Sequence, residues 1–409
     1  LGRRRFALYP EFGAPRLREA LAKAVGLSPG QVVPSNGSGE AILAAVAVFA
    51  GCGGTLGLIG DGPRPAPDPV VVISNAAIQG SVIDSASGAG LSGAAVRFSG
   101  NALTTDSQGL YSQASSAPVA RMVIEGAATG FESIFGVAEV LGSVPSVNNL
   151  RLTPLGTAAT ITVASGGTVT QAATGASVSV PANALVAAGG GAAPATADVR
   201  VTAIDIGSDS NLLSGDFTDS SGTQVQAYGS VVLSSSTALD VVGGQLLTLQ
   251  IPLSNRSALT PASATLYYLD VATGRWVADG SANLVAGAQP HYTADVTRFA
   301  QWMVGTAITA TQTVSGCVLD DAGAPAANVR IAADGINYSS IAYTTTNAQG
   351  QFTLQLPTSS RTAVQGRRGA FLTNATAVDV QSVPISLLTC LTIPTTNAAT
   401  MRLTWGASP

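Results

Sequence analysis

From Val70 onward the chain alternates short apolar runs with polar punctuation. Ile78 to Ile83, Ala95 to Phe98, Thr160 to Val163, Ala197 to Ile206, Leu246 to Ile251, Ala264 to Tyr268, Asn328 to Ala332 and Gln351 to Leu356 are rich in β-branched or aromatic residues. Clusters of Gly, Asn, Asp and Ser separate them at intervals that suit β-sandwiches. Residues 1–50 read differently. Leu17, Leu21 and Ala24 recur at helical spacing, and Pro15 suits a first helical turn. Residues 51–69 hold four prolines and six glycines, which keep both helix and strand from forming, so 51–74 is expected to be a linker. The pattern predicts an all-β fold of tandem sandwiches preceded by a short helical segment.

An internal repeat sharpens this. Ile78-Gln79-Gly80-Ser81-Val82-Ile83-Asp84 returns as Val314-Ser315-Gly316-Cys317-Val318-Leu319-Asp320. Each copy continues through a Gly-containing turn and a second strand to Asp106-Ser107-Gln108-Gly109 or Asn347-Ala348-Gln349-Gly350. That last turn is expected to close a hairpin, with glycine supplying the positive φ. Gly316 follows Gly80 by 236 residues, so another domain is expected between the copies.

Both copies resemble the carboxypeptidase regulatory-like domain, a sandwich of transthyretin-like, Ig-like topology. The second copy carries Pro325 and Phe352 at the family's positions, whereas the first has Ser92 and Tyr111. The segment between resembles the β-rich region that accompanies such modules in bacterial secreted proteins and in cartilage intermediate layer-type proteins. Its carriers are Val178-Ser179-Val180-Pro181-Ala182-Asn183, Gly274-Arg275-Trp276-Val277 and Val296-Thr297-Arg298-Phe299-Ala300-Gln301-Trp302. The expected organisation is therefore a sandwich at 75–155, a middle β-rich domain at 156–306 and a second sandwich at 307–409. The resemblance implies an accessory module at bacterial surfaces without catalytic residues. First and last strands of such a sandwich adjoin, which makes Cys317 and Cys390 a candidate disulfide, with two buried thiols as the alternative.

The opening residues carry two further resemblances. Tyr9-Pro10, Leu17-Arg18-Glu19-Ala20-Leu21 and Asn36-Gly37-Ser38-Gly39-Glu40 are similar to part of a histidinol-phosphate aminotransferase-like, pyridoxal-phosphate enzyme. That family needs a Schiff-base lysine. The single lysine, Lys23, lies upstream of the phosphate-loop-like segment, so an inactive remnant is expected. Ala41 to Ala50 followed by Gly51-Cys52 is similar to a bacterial lipoprotein signal, with Cys52 as the lipidation candidate and a buried helix as the alternative.

Composition narrows the function. Charged residues are 10% of the chain, and one histidine, His291, leaves a single candidate for a histidine base. A net charge of −4, with no basic cluster after Arg18, supplies no electrostatic footprint for nucleic acid. The longest apolar run is the ten residues from Ala41, short of the about 18 a membrane helix needs. Asp205, Asp209, Asp216 and Asp219 match no calcium-loop spacing. Tyr267, Tyr268, Trp276 and Trp302 fit a core better than a sugar-stacking platform, because the surrounding alternation turns some of them inward. No catalytic residue, metal site or cofactor is assigned. The expected protein is extracellular or cell-surface and non-catalytic, binding protein or polysaccharide, not nucleic acid. It would meet a membrane only through lipid on Cys52. A carbohydrate-binding adhesin is the first alternative; a degenerate aminotransferase fusion or a carboxylate glycosidase follows. Separate cores are expected, with no pocket lined by two carboxylates. Pyridoxal phosphate should give no aldimine absorbance band, and borohydride should fix none of it to Lys23; a reducible adduct there would overturn the remnant reading.

Overall fold

The computed structural model describes residues 77–114, 118–141 and 144–395; the expected helical segment at 1–50, the linker and Cys52 lie outside them. The first copy of the repeat comprises β1 (Ala77–Asp84), β2 (Ala95–Phe98), β3 (Asn101–Thr104), β4 (Leu110–Ala114), β5 (Val119–Ala127), β6 (Ile134–Val140), β7 (Ser146–Val147) and β8 (Leu150–Leu152). Strands β4, β1 and the β7/β8 pair form one sheet, and β3-β2-β5-β6 form the other. Alternation along each strand sends Val82, Val96, Ile124 and Leu150 into the space between them.

The middle segment contains β9 (Thr157–Thr162), β10 (Gly167–Gln171), β11 (Ala176–Val180), β12 (Leu185–Ala187), β13 (Thr196–Ile204), β14 (Val225–Ser235), β15 (Leu239–Val241), β16 (Leu247–Pro252), β17 (Ser263–Asp270), β18 (Arg275–Val285), β19 (His291–Val296) and β20 (Gln301–Ala307). Ten of these make one sheet in the order β10-β11-β16-β19-β18-β17-β20-β14-β13-β9. Its terminal strands are consecutive in sequence and meet at a Thr162–Gly166 bridge, so the sheet rolls around a single core. Trp302, Val199, Val178, Leu249 and Tyr292 meet inside it.

The second copy contains β21 (Thr311–Asp320), β22 (Arg330–Gly335), β23 (Ile341–Thr345), β24 (Gln351–Pro357), β25 (Ser360–Arg368), β26 (Phe371–Leu372), β27 (Thr376–Val380), β28 (Ile385–Ser386) and β29 (Leu391–Ile393). Strand β21 pairs with β24 on one side and, in parallel, with β28 and β29 on the other, as β1 does with β4, β7 and β8. The duplication therefore extends to strand order and register.

Side-chain detail explains the repeated letters. A Cβ on Gly80 would come within 1.8 Å of the Asn148 carbonyl oxygen and 2.9 Å of the Tyr111 hydroxyl. On Gly316 it would come within 2.5 Å of the Phe352 ring. Only glycine lets that aromatic ring cross the first strand. Asp106 and Asn347 each accept two backbone N–H bonds, at 2.8 and 2.9 Å in the first copy and 3.0 and 2.9 Å in the second. Thr105 and Thr346 are buried, each accepting from one backbone N–H and donating to one carbonyl. These turns do not close hairpins, which corrects the expectation. Strand β3 belongs to one sheet and β4 to the other, so each turn is an arch between the sheets. The buried threonine anchors its start on the loop after β1 or β21, and this pulls the chain across the core.

Cys317 and Cys390 are disulfide-bonded with Cα atoms 4.6 Å apart, linking β21 to the residue before β29. By register, Ser81 and Asn149 occupy the same two places in the first copy, where the Ser81 N–H donates to Asn149 Oδ1 at 3.3 Å. The Ser81 hydroxyl is buried and has no hydrogen-bond partner. The double substitution Ser81→Cys, Asn149→Cys should therefore oxidise without backbone movement. Closing a loop of 68 residues should stabilise by up to about 4 kcal/mol in the chain-entropy view. Melting with and without reductant checks it; equal melting temperatures would disprove the equivalence.

Candidate functional site

The described residues all fall in one compact unit, Pro65–Pro409. As expected, each module has its own core: that of the second copy gathers Val318, Ile331, Phe352 and Ile393, beside the cores of the first copy and the middle segment. A fourth apolar cluster, built on Ile206, Phe217, Tyr267, Trp276 and Met303 of the middle segment, takes in Ile341 of the second copy and packs against Phe135 of the first. Polar contacts tie each pair of modules. Arg121 of the first copy pairs with Asp216 and donates to the Thr273 carbonyl at 2.9 Å. Arg256 of the middle segment pairs with Asp334 at 2.8 Å and donates to the Gly335 carbonyl at 2.6 Å. Between the two copies, Arg330 donates to the Val137 carbonyl at 3.2 Å and Thr345 donates to Glu139 at 2.7 Å. The modules thus close a triangle.

A cleft of about 440 Å³ remains where they meet. The first copy lines it with Gly136, Asn149 and Arg151, the middle segment with Ser210, Asn211 and Phe217, and the second copy with Arg330, Asp334, Tyr343, Gln365 and Arg367. Three arginines and one carboxylate face the space, so the paired carboxylates a glycosidase needs are not assembled in this lining. Arg151 pairs with Asp209 at 3.3 Å. The Arg330 guanidinium lies 4.4 Å over the Tyr343 ring. Burial raises the Asp334 carboxyl above its ordinary pKa, opposed by the Arg256 guanidinium. A smaller pocket adjoins, sharing Arg330 and Arg367 and adding Arg368 and Glu139.

The cleft was not among the sequence candidates. Arg330 and Arg367 are far apart in the chain and become cross-strand partners only through the β22–β25 register. The Arg367-Arg368 doublet was the one local sign of positive charge there. The residues that were singled out have other places. Asp209 accepts from the Asn211 N–H at 2.9 Å and pairs with Arg151. Asp216 is taken by Arg121, Asp219 caps a turn through the N–H groups of Ser221 and Thr223, and Asp205 holds Ser254. Among the described residues no three metal-ligating side chains gather. Trp276 and Trp302 are fully buried and Tyr267 is buried; Tyr268 stands half-buried, with Arg298 4.2 Å over its ring. They form core, not an exposed platform. His291 opens β19, with Nδ1 3.0 Å from the Gln289 carbonyl oxygen.

No protein-family model matches the chain, and no curated protein matches it in sequence. Among solved structures it is similar to the Bacillus anthracis TIE protein, at 10% identity over 78% of this chain and 51% of that one, with a TM-score of 0.18. It is also similar to BcpA, the major pilin subunit of Bacillus cereus, at 9% identity over 78% of this chain and 99% of that one, TM-score 0.17. A third likeness is to a Ca2+-stabilized adhesin of an Antarctic bacterium, at 12% identity over 78% and 100% of the two chains, TM-score 0.11. The chain spans about half the length of the TIE protein. Scores this low carry no function across.

The interface between the first copy and the middle segment contains a buried acid. Glu132 accepts from the Thr202 hydroxyl at 2.6 Å and the Ser234 hydroxyl at 3.4 Å. Burial raises its pKa, while Thr202, the Arg200 charge and Ser234 pull the other way. A carboxyl whose folded pKa exceeds its unfolded value adds stability fully present below the unfolded value and lost as pH rises through the folded one. Glu132→Gln keeps an acceptor for Thr202 and removes that loss. Its melting temperature should exceed the parent's near pH 7 and converge with it toward pH 4. A gap independent of pH would refute the assignment.

Proposed function

We propose that this chain is a non-catalytic structural and binding protein of the cell surface or extracellular space. The observation that supports it best is the Cys317–Cys390 disulfide, because such bonds persist in oxidising compartments and are rare where glutathione keeps thiols reduced. The fused modules add to it: sandwiches joined by a shared core and buried hydrogen bonds present fixed surfaces rather than a mobile active site. We read 75–155 and 307–409 as carboxypeptidase regulatory-like modules flanking a middle domain at 156–306. The duplicated register favours this, as do the glycine–aromatic crossings at Gly80 and Gly316. Lipid on Cys52 is the proposed membrane link; among the described residues no helix is long and apolar enough to cross a membrane. The partner is a protein or polysaccharide outside the cell, met by module edges and loops.

Alkylation of intact cells before and after reduction, read by mass spectrometry, tests the reading. Cys317 and Cys390 should be alkylated only after reduction, and externally added protease should reach the chain. Cys52→Ala should lose lipid labelling and move the protein from the membrane to the soluble fraction. Freely alkylated Cys317 and Cys390 in a protease-protected chain would overturn the location.

A further inference from the structure

We propose that the β27 edge of the second copy of the repeat pairs with the same edge of another molecule of this chain, making a two-fold dimer. Register makes Ala375, Ala377 and Asp379 the counterparts of Phe135, Val137 and Glu139 on β6, alternate residues that turn their backbone polar groups away from the neighbouring strand. In the first copy all three carbonyls are filled. That of Phe135 accepts from the Gly215 N–H at 2.7 Å, that of Val137 from Arg330 at 3.2 Å and that of Glu139 from the Ser146 hydroxyl at 2.7 Å. The Phe135 N–H in turn donates to the Ser214 hydroxyl at 3.2 Å. Other parts of the molecule thus cover β6. Among the described residues no group does the same for β27: the outward N–H and carbonyl groups of Ala375, Ala377 and Asp379 meet no partner, and all three residues are exposed.

An unpaired edge is a template for another strand unless charge, proline or a bulge blunts it. From Phe371 to Val380 there is no proline or lysine, and the one charge, Asp379, is paired with Arg361 at 3.4 Å. The ladder on β25 slips by one residue between β26 and β27, but β27 itself runs in unbroken register. Its own sequence suits the role of occupant. Antiparallel pairing about a dyad at Ala377 sets that residue opposite the partner's Ala377, and Ala375 opposite the partner's Asp379. Each outward N–H and carbonyl then finds its complement, and no two like charges face each other. Leu372 and Val383, exposed apolar residues on either side of β27, are brought to the same ends of the paired strands. A two-fold contact closes on itself, so it consumes both edges without starting a filament.

Analytical ultracentrifugation of the purified full chain over a range of concentrations tests this, and its outcome does not depend on where the protein resides. A monomer–dimer equilibrium is expected. Ala377→Pro removes only N–H groups that face the partner, one from each strand. It should weaken dimerisation about tenfold or more, at an unchanged melting temperature in dilute solution. Should that variant not fold, Ala377→Glu and Ala377→Lys decide, since the residue is exposed. Each alone sets like charges across the dyad and should be monomeric; mixed in equal amounts, the two should dimerise again. A chain that stays monomeric at every concentration, a dimer that Ala377→Pro and Ala377→Glu leave intact, or charge variants that fail to associate when mixed would overturn the proposal.

Discussion

The shared apolar cluster around Trp276 is the constraint on which the rest of the arrangement depends. Burying a large apolar side chain is worth about 1.5–3 kcal/mol, whereas an exposed ion pair contributes about 0–1 kcal/mol. Ile206, Phe217, Tyr267, Trp276 and Met303 therefore outweigh the ion pairs at the module boundaries, although those pairs are more conspicuous. The charges do something else. Each arginine of Arg121–Asp216, Arg151–Asp209 and Arg256–Asp334 meets a carboxylate across a module boundary, which sets the angle at which apolar surfaces meet. Apolar burial is indifferent to orientation; a half-buried ion pair is not.

Within each copy of the repeat, a second constraint is the parallel pairing of first strand with last. It forces chain ends together, and the two copies secure that junction differently. Tyr111 donates its hydroxyl to the Asn148 carbonyl at 2.6 Å in the first copy, while Phe352 has no such group and a disulfide lies beside it. At the next residues along, the hydrogen bond from the Ser81 N–H to Asn149 Oδ1 stands where the disulfide stands in the second copy.

This explains what was legible in the chain. Local signals were read correctly: β1 and β2 lie where apolar alternation places them, and Gly109 and Gly350 take the positive φ expected of a turn. The error over the Asp106 and Asn347 turns was one of partnership. Two strands joined by a tight turn pair in most β-proteins, and only the burial of Thr105 and Thr346 diverts these into opposite sheets. Burial of a threonine hydroxyl leaves no periodic trace. The cleft was illegible for a related reason: its arginines and amides come from three modules, and no single stretch contains more than a fragment of it.

The duplication also bears on why the cleft lies where it does. A two-sheet sandwich fills its own interior with side chains, so it offers a ligand only edges and loops. Space for a small molecule arises instead where convex modules meet and their surfaces fail to interlock. Strands β6 and β22 come close enough for Arg330 to reach the Val137 carbonyl, yet Gly136 and Gly366 beside them project no side chain. A Cβ on Gly136 would strike Leu150 at 2.9 Å, and one on Gly366 would strike Val329 at the same distance. Both glycines are thus required by the interiors of their own modules, toward which a Cβ would point. The charges that line the cleft are Arg151 of the first copy with Arg330, Asp334 and Arg367 of the second, and the Arg330–Arg367 pair stands where the first copy sets Ala95 opposite Ala127.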